Sequence, residues 1–336
     1  MRINRLPATT YRHLKMNDVD LQWPLQNAPL HSKGAFVSCE ALPLETPTGA
    51  GTEADSIFEK AIVQKCALLP ETSEDVRIRI CAESDSACGT YLLDVQEGSS
   101  LTLIMSYENA PENTHLAVRT LLHLAKDAKV KLVQLQMCKE GHQLLNDIGC
   151  ICEEGASFEL LQVYPGEGDV YNGVRVELVG ADSKFSSDVA YLGCGKQKLD
   201  MNYIVNHIGE RTISRLEADG VLKDEAHKLF RGTIDFKTGA SGAKGNENEK
   251  VLVLGEGCIN QTIPLILCSE EDVEGNHGAA IGGLDEEMLF YLASRGLDET
   301  ASQKVMTRAY LNRVIQMIGD AQVTEQMEAY VEHLLG

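Results

Sequence analysis

Between about residue 75 and residue 255 the chain is written almost entirely in short stretches whose apolar and polar residues alternate, separated by Gly, Asp, Asn and Ser. SLTLIMSY (100–107), AKVKLVQLQM (128–137), ASFELLQVY (156–164), GVRVELVG (173–180), KFSSDVAYL (184–192), MNYIVNHI (201–208) and TISRLEADGVL (212–222) are the clearest. A period of two places successive side chains on opposite faces of a strand, so this is strand grammar. Hardly any segment between these stretches has a helical period. A doubly wound parallel sheet needs a crossover helix after each strand. The sequence therefore argues against that architecture.

A weak recurrence narrows the choice. Ala128-Lys-Val, Ala156-Ser-Phe and Ala181-Asp-Ser-Lys-Phe each open a strand after a polar turn. Repeats of roughly this size suit a β-helix or another strand solenoid, in which every turn buries its inward residues on its neighbours. A sandwich or jelly roll shares the same alternation, because alternation identifies the wet face without identifying which strands pair.

The two ends read differently. Pro7, Pro24, Pro29, Pro43 and Pro47 interrupt every candidate helix of the first fifty residues, which predicts an extended arm. Ile57, Ala61, Cys66 and Leu69 then predict a short amphipathic helix within residues 53–69. After residue 283 the period becomes helical. Asp285 is placed to cap a helix carrying Met288, Leu289, Tyr291 and Leu292, which Gly296 stops in a left-handed conformation. Asp298 caps a second helix with Ala301, Val305, Ala309, Val314 and Met317 near one stripe. A last helix from about Thr324 gathers Met327, Val331, Leu334 and Leu335 on one face. These stripes either pack on the β core and on each other or offer a partner a surface. The expected organisation is an arm with a short helix (1–74), a β core (75–283) and a helical segment (284–336).

Composition bounds the function. Hydrophobic residues make up 43% of the 336, enough for a sizeable core in one or two domains. A formal charge of −20 repels phosphate backbones and anionic head groups, which argues against nucleic-acid and membrane partners. Apolar runs fall far short of the roughly 20 residues that span a bilayer. Met1 to Leu6 lack the apolar region of a signal peptide, so a cytoplasmic location is expected. Ten scattered cysteines without a Cys-x-x-Cys pair then read as reduced thiols. Cys150 and Cys152, two apart in a strand, should point together into the core.

No catalytic signature stands out. Gly239-Ala-Ser-Gly-Ala-Lys-Gly245 resembles a phosphate cradle, but a P-loop has Ser or Thr after its lysine and opens a helix. Neither a nucleophile elbow nor a metalloprotease helix is present, and no spacing singles out two carboxylates. His277, beside Gly278 in an acidic loop-like stretch, is the one imidazole whose setting draws notice. His207 and His227 draw less.

The residues also carry a family resemblance. RGTIDF (231–236), VLVLGEGCINQTIPLILCSEEDVEGNHGAAIG (251–282) and LDEEMLFYLASRGLD (284–298) resemble the carboxy-terminal part of the SufB/SufD family. The order is a strand pair with a central proline, an acidic Asp-Val before His-Gly-Ala, then a helix with F-Y-L-x-S-R-G. LPATTYRHLKMN (6–17) is similar to the arm of the SufD-like branch. The resemblance implies a right-handed parallel β-helix with a carboxy-terminal helical segment, acting as a non-catalytic subunit in iron–sulfur cluster assembly. Its implied partners are a SufB-type protein, paired through the β-helices, and the SufC ATPase, docked on the terminal helices. ATP would be hydrolysed in SufC. It further implies a homodimer of the isolated chain as an option, no stably bound cofactor, and a transient cluster at the joint. It makes no assignment for flavin.

On the same basis His277 and Gly278 are the candidates for the assembly interface, with His277 as metal ligand. Relatives with a cysteine two residues earlier differ from this chain, which has Gly275. SufB-type relatives carry a reactive cysteine where Glu249 or Lys250 stands here. Cys258 and Cys268 are the thiols that remain near this site. Phe290, Tyr291, Arg295 and Gly296, with Val305 and Ala309, are the docking candidates. Two other readings are a self-pairing SufB-like scaffold and a β-helix enzyme acting on carbohydrate, the latter poorly served by 5% aromatic residues.

Overall fold

A computed structural model describes residues 1–24, 28–30, 32–33, 46–59, 61–81, 84–108 and 113–336. Cys39 and Pro43 lie outside these residues. An antiparallel pair, β1 (Arg2–Ile3) and β2 (Val19–Asp20), is followed by the two-residue strands β3 (Ala28–Pro29) and β4 (Ser32–Lys33) and the single-turn helix α1 (Asp55–Phe58). The chain then runs through β5 (Ile62–Leu68), β6 (Ser73–Ile80), β7 (Ser86–Val95), β8 (Ser100–Tyr107), β9 (His115–Leu124) and β10 (Lys129–Gln136). Next come β11 (Gln143–Cys152), β12 (Ser157–Tyr164), β13 (Asp169–Leu178), β14 (Lys184–Gly193) and β15 (Lys198–His207). The series closes with β16 (Ile213–Leu222), β17 (His227–Phe236), β18 (Ala243–Val253), β19 (Ile259–Cys268) and β20 (Val273–Gly282). Three helices end the chain: α2 (Glu286–Ser294), α3 (Glu299–Ile315) and α4 (Ala321–Leu335).

From β5 onward each strand pairs in parallel with the strand two places away, so even strands build one sheet and odd strands the other. Lys129, Ser157, Lys184 and Ile213 occupy successive rungs of the even sheet, and His115, Gln143 and Asp169 successive rungs of the odd one. This is a parallel β-solenoid. Its parallel ladders rule out the sandwich and jelly-roll alternatives, which are antiparallel. The recurrence is carried by the aromatic position more than by the alanine. Phe158 and Phe185 stack in register with ring centroids 5.3 Å apart, while the rung equivalent to Ala128 and Ala156 is Ser183 and not Ala181.

The helix expected within residues 53–69 is a correction. Helix α1 stops at Phe58, and residues 62–68 pair with β7 from Ile62 opposite Gly89 to Leu68 opposite Val95. Leu69, read as part of an apolar helical face, is 73% exposed. A free edge on β7 and the β-branched pair Ile62-Val63 outweigh a few apolar residues at helical spacing. The β-stack thus begins before residue 75.

Three apolar layers explain why many strands are nearly continuous in hydrophobicity. The lumen is filled by stacked rungs such as Leu103, Leu132 and Leu160. The outer face of the odd sheet is covered by the arm, whose Ile3, Trp23, Ile57 and Phe58 pack on Ala117 and Leu145. The outer face of the even sheet is covered by α3 and α4, whose Leu311, Val314, Ile315 and Met327 pack on Val133, Leu161 and Ala190. Strands buried on both faces lose strict alternation. The α3 stripe is also a correction: Val305 and Ala309 are exposed, and the buried line runs instead through Thr307, Leu311, Val314 and Ile318.

Polar groups hold these layers in place. Within the lumen Gln134 and Gln162 of the even sheet exchange side-chain hydrogen bonds with Asn146 and Asn172 of the odd sheet, at 2.7 Å for Asn146 Nδ2 to Gln134 Oε1. Tyr107 and Tyr203 close the network at its two ends. Arg231, fully buried, forms a bidentate pair with Asp200 at 2.8 and 3.1 Å and donates through Nε to the Met16 carbonyl at 2.7 Å, clamping the arm. Arg313 of α3 reaches Asp188 and Asp219, and Lys131 donates to the Met317 carbonyl after that helix.

Gly173 shows how close the arm lies: a Cβ there would come within 2.2 Å of the Ala50 nitrogen. Ala50 donates to Asp147 at 2.9 Å and Asn202 to the Gly49 carbonyl at 3.1 Å. Gly173→Ala should therefore lift this segment, costing about 1–3 kcal/mol. Limited proteolysis should show faster cleavage before residue 60, with hydrogen-exchange protection of the lumen strands retained.

Candidate functional site at the mouth of the solenoid

The stack is open at its last coil. Among the described residues strand β20 pairs only with β18 and β19 only with β17, so each leaves one edge without a backbone partner there. Pro264 stands in the middle of β19, and a residue with no N–H belongs on an edge strand. All of β20 beyond Val273 is exposed.

Register tells which side chains face the mouth. In a parallel ladder, paired residues project to the same side. Gly275 pairs with Gly245, His277 with Glu247 and Ala279 with Glu249. A Cβ on Gly275 would meet Phe236 and Ile266 of the lumen, so this set points inward. Asn246 and Asn276 hydrogen-bond at 3.0 Å on the opposite face, where Gly278 meets Asn248. His277 thus overhangs the lumen opening, one rung from Glu247.

Beneath it lies a buried ionic cluster. The Lys228 ammonium, 0% exposed, pairs with Glu249 and donates to the Thr262 hydroxyl at 2.9 Å. Thr262 donates to the second Glu249 oxygen at 2.6 Å, and the Tyr191 hydroxyl donates to the first at 3.1 Å. Burial holds the Lys228 pKa below its ordinary value despite the attraction of Glu249. Glu247 is 2% exposed and its Oε2 makes no hydrogen bond among the described residues. Burial, and then the Glu249 charge, push its pKa up to about 8, with Lys228 opposing. The absence of a side chain at Gly232 makes room for this carboxylate: a Cβ there would lie 2.4 Å from it.

The other sequence candidates are dispersed. Cys258 and Cys268 sit at opposite ends of β19, about 30 Å apart. Cys258 donates to the Asp224 carbonyl at 3.6 Å, and burial raises its pKa. Cys268 is exposed and donates to the Glu270 carbonyl at 3.0 Å. Among the described residues no three His, Cys, Asp or Glu side chains form a group that could hold a metal ion. Cys150 and Cys152 are buried in the lumen with sulfurs 3.7 Å apart, as the strand period requires. His207 is buried between the Thr212 and Ser214 hydroxyls, its pKa pushed down to about 4, which keeps it neutral. His227 contacts Gln261 at 3.1 Å. In the glycine-rich 239–245 turn, Gly239 N–H donates to Glu270 at 2.8 Å and Lys244 pairs with Glu274, so the chain's own carboxylates occupy the groups a phosphate would need.

The helices divide into cover and projection. Asp285, Asp298 and Asp320 cap α2, α3 and α4. Gly296 ends α2 at φ +86°, as read from the sequence, while α4 starts slightly earlier than expected. Helix α2 buries only Leu292. Its Phe290 is 77% exposed and its Tyr291 54%, with the Arg295 guanidinium 5.4 Å from the Tyr291 ring. Val305 and Ala309 continue the exposed surface on α3.

These features define a parallel β-solenoid closed by terminal helices on one face and open at its final coil. Residues 78–310 match the family described as SUF system FeS cluster assembly, SufBD core domain. The chain belongs to this family. It is 26% identical over 166 residues to the iron–sulfur cluster assembly protein SufD of Bacillus subtilis, covering 49% of this chain and 38% of that protein. It is 22% identical to the iron–sulfur cluster assembly protein SufD of Escherichia coli over 251 residues, 74% of this chain and 59% of the relative. A SufBD family protein of Mycobacterium leprae is 25% identical over 273 residues, 77% and 64%. The chain spans about half the length of these relatives. No helix among the described residues is long and apolar enough to cross a membrane.

Sequence reading missed Lys228 and Glu247. The signal was present, since Glu247 and Glu249 share parity with the lumen residue Val251. The folded protein keeps the Glu247 proton to about pH 8, whereas the unfolded chain releases it near 4.5. Stability should therefore fall as pH rises between those values. Glu247→Gln should remove this decline and stabilise the protein above pH 8 on the order of a few kcal/mol, read from urea midpoints at both ends of the range.

Proposed function

We propose that this chain is a SufD-like, non-catalytic subunit of an iron–sulfur cluster assembly complex in the cytoplasm. It joins a SufB-type protein through its open last coil and docks the SufC ATPase on its projecting helical surface. The observation that carries this reading is the coincidence of two properties on β20: an unpartnered strand edge and an exposed, lumen-facing His277. An edge of this length invites another chain's strand to continue the ladder. Pairing there would place the imidazole at the joint, where it is a competent ligand for iron delivered as substrate. Among the described residues no group of three ligand side chains surrounds this imidazole, so the remaining ligands come from the partner, and the cluster is transient cargo.

The two ends of the function use separate parts. Helices α3 and α4 are committed to the even sheet, which leaves α2 and the exposed side of α3 for the ATPase. Phe290, Tyr291 and Arg295 supply aromatic and guanidinium groups of the kind that anchor interfaces. ATP hydrolysis then belongs to the partner, and rotation of the docked helices would bear on the sheet through Arg313. A self-pairing scaffold would use the same open edge. It is the weaker reading because Glu249 or Lys250 stands where SufB-type relatives carry a reactive cysteine, and Glu249 is sealed in an ion pair.

The test is co-expression with SufB-type and SufC-type partners. Phe290→Ala with Tyr291→Ala should lower SufC-type binding at least about tenfold and leave SufB-type pairing intact. His277→Ala should preserve the complex and reduce cluster yield by about tenfold or more. Unchanged cluster yield with His277→Ala would remove the site from this account.

A further inference from the structure

The mouth holds an acidic group that neither the fold nor the ion pair explains. Glu249 is fully partnered by Lys228, Thr262 and Tyr191. Glu247, two residues earlier on the same inward face, is as deeply buried, yet its Oε2 has no partner among the described residues. Burying a carboxyl oxygen without a hydrogen bond is costly, and each such group in a folded protein calls for a reason. Steric need does not supply one: Gly232 opposite has been left without a side chain, so the carboxyl fills space that an apolar residue could fill.

The neighbour on the next rung supplies it. His277 is paired in register with Glu247, on strands about 4.8 Å apart, and both side chains project toward the lumen. Glu247 lies inside the last covered coil and His277 on the exposed coil above it. An imidazole that binds a metal through one ring nitrogen usually donates its other N–H to a carboxylate or carbonyl, which fixes the tautomer and the ring plane. In this mouth a carboxyl-bearing residue stands in register one rung below His277.

We propose that Glu247 is the positioning residue of His277. When a second chain covers the last coil, the His277 ring turns inward, its N–H donates to the unpartnered Glu247 oxygen, and the other nitrogen faces the joint with its lone pair free for iron(II). The Lys228–Glu249 pair beneath keeps the Glu247 carboxyl from collapsing onto Lys228, because that ammonium is already engaged by Glu249 and Thr262. This inference rests on the assembly role given to His277 above, and it assigns to that role a buried residue on a different strand.

The experiment uses the full chain assembled with its SufB-type and SufC-type partners, labelled with ¹⁵N-histidine. Long-range ¹H–¹⁵N spectra report the His277 tautomer, and cobalt(II) titration reports its affinity for a divalent metal. In the unsubstituted complex a single tautomer is expected. Glu247→Leu, which puts an apolar side chain in the buried site and removes the acceptor oxygen, should mix or invert the tautomers and weaken cobalt(II) binding about 10- to 100-fold, whereas Glu247→Gln, which keeps a neutral acceptor oxygen there, should retain the single tautomer. A purely structural role for Glu247 would move neither. If His277→Ala abolishes cluster formation while Glu247→Leu changes neither tautomer nor cobalt(II) affinity, the positioning role is overturned and the assembly role stands. If His277→Ala leaves cluster formation unchanged, both are overturned.

Discussion

Backbone pairing between each strand and the strand two places on is the constraint from which the rest of this molecule follows. Every coil from β7 to β18 satisfies its ladder on both sides, so the stack has no internal reason to stop. It must be terminated, and its two sheets must be kept from water on their outer faces. The arm covers the odd sheet, anchored by the buried Arg231–Asp200 pair, and α3 and α4 cover the even sheet. In the last coil the arm's Leu6 and Met16 still pack on Ile263 of β19, but among the described residues β20 has no cover and neither strand has a further rung. A stack sealed on both flanks and left open at one end has the shape of a component.

The lumen explains how such a stack keeps register. Leucine rungs alone would tolerate a slip of one coil relative to another, since apolar packing is not directional. The Gln134, Gln162, Asn146 and Asn172 amides are directional, and nearly every donor and acceptor finds its partner across the two sheets. Breaking that correspondence would leave buried amides unsatisfied. The same logic operates at the mouth, where Glu249 is satisfied and Glu247 is left with an oxygen unused, next to the one imidazole on the open coil.

Much of the fold was legible because its period is written in each strand separately. SLTLIMSY, ASFELLQVY and TISRLEADGVL fall where the alternation places them, and Asp285, Asp298 and Gly296 mark helix ends by chemistry that needs no tertiary context. What was not legible depended on neighbours. Residues 62–68 follow a helical spacing and still form a strand, because the edge of β7 was waiting for one. Val305 and Ala309 looked like the inner stripe of α3 and face outward, because the sheet selects Leu311 and Val314. His277 could be singled out in the sequence, largely through the family resemblance, but its relation to Glu247 could not: the two are distant along the chain and become neighbours only through the register of β18 and β20.

The central claim is that the exposed edges of β19 and β20 are where a second chain joins. Hydrogen–deuterium exchange of the full chain, alone and in complex with a SufB-type partner, tests it most directly. The account predicts fast exchange over residues 259–282 in the free chain and strong slowing there on complex formation, centred on β20. Protection that appears only over the terminal helices or the arm, with residues 259–282 exchanging as before, would contradict it.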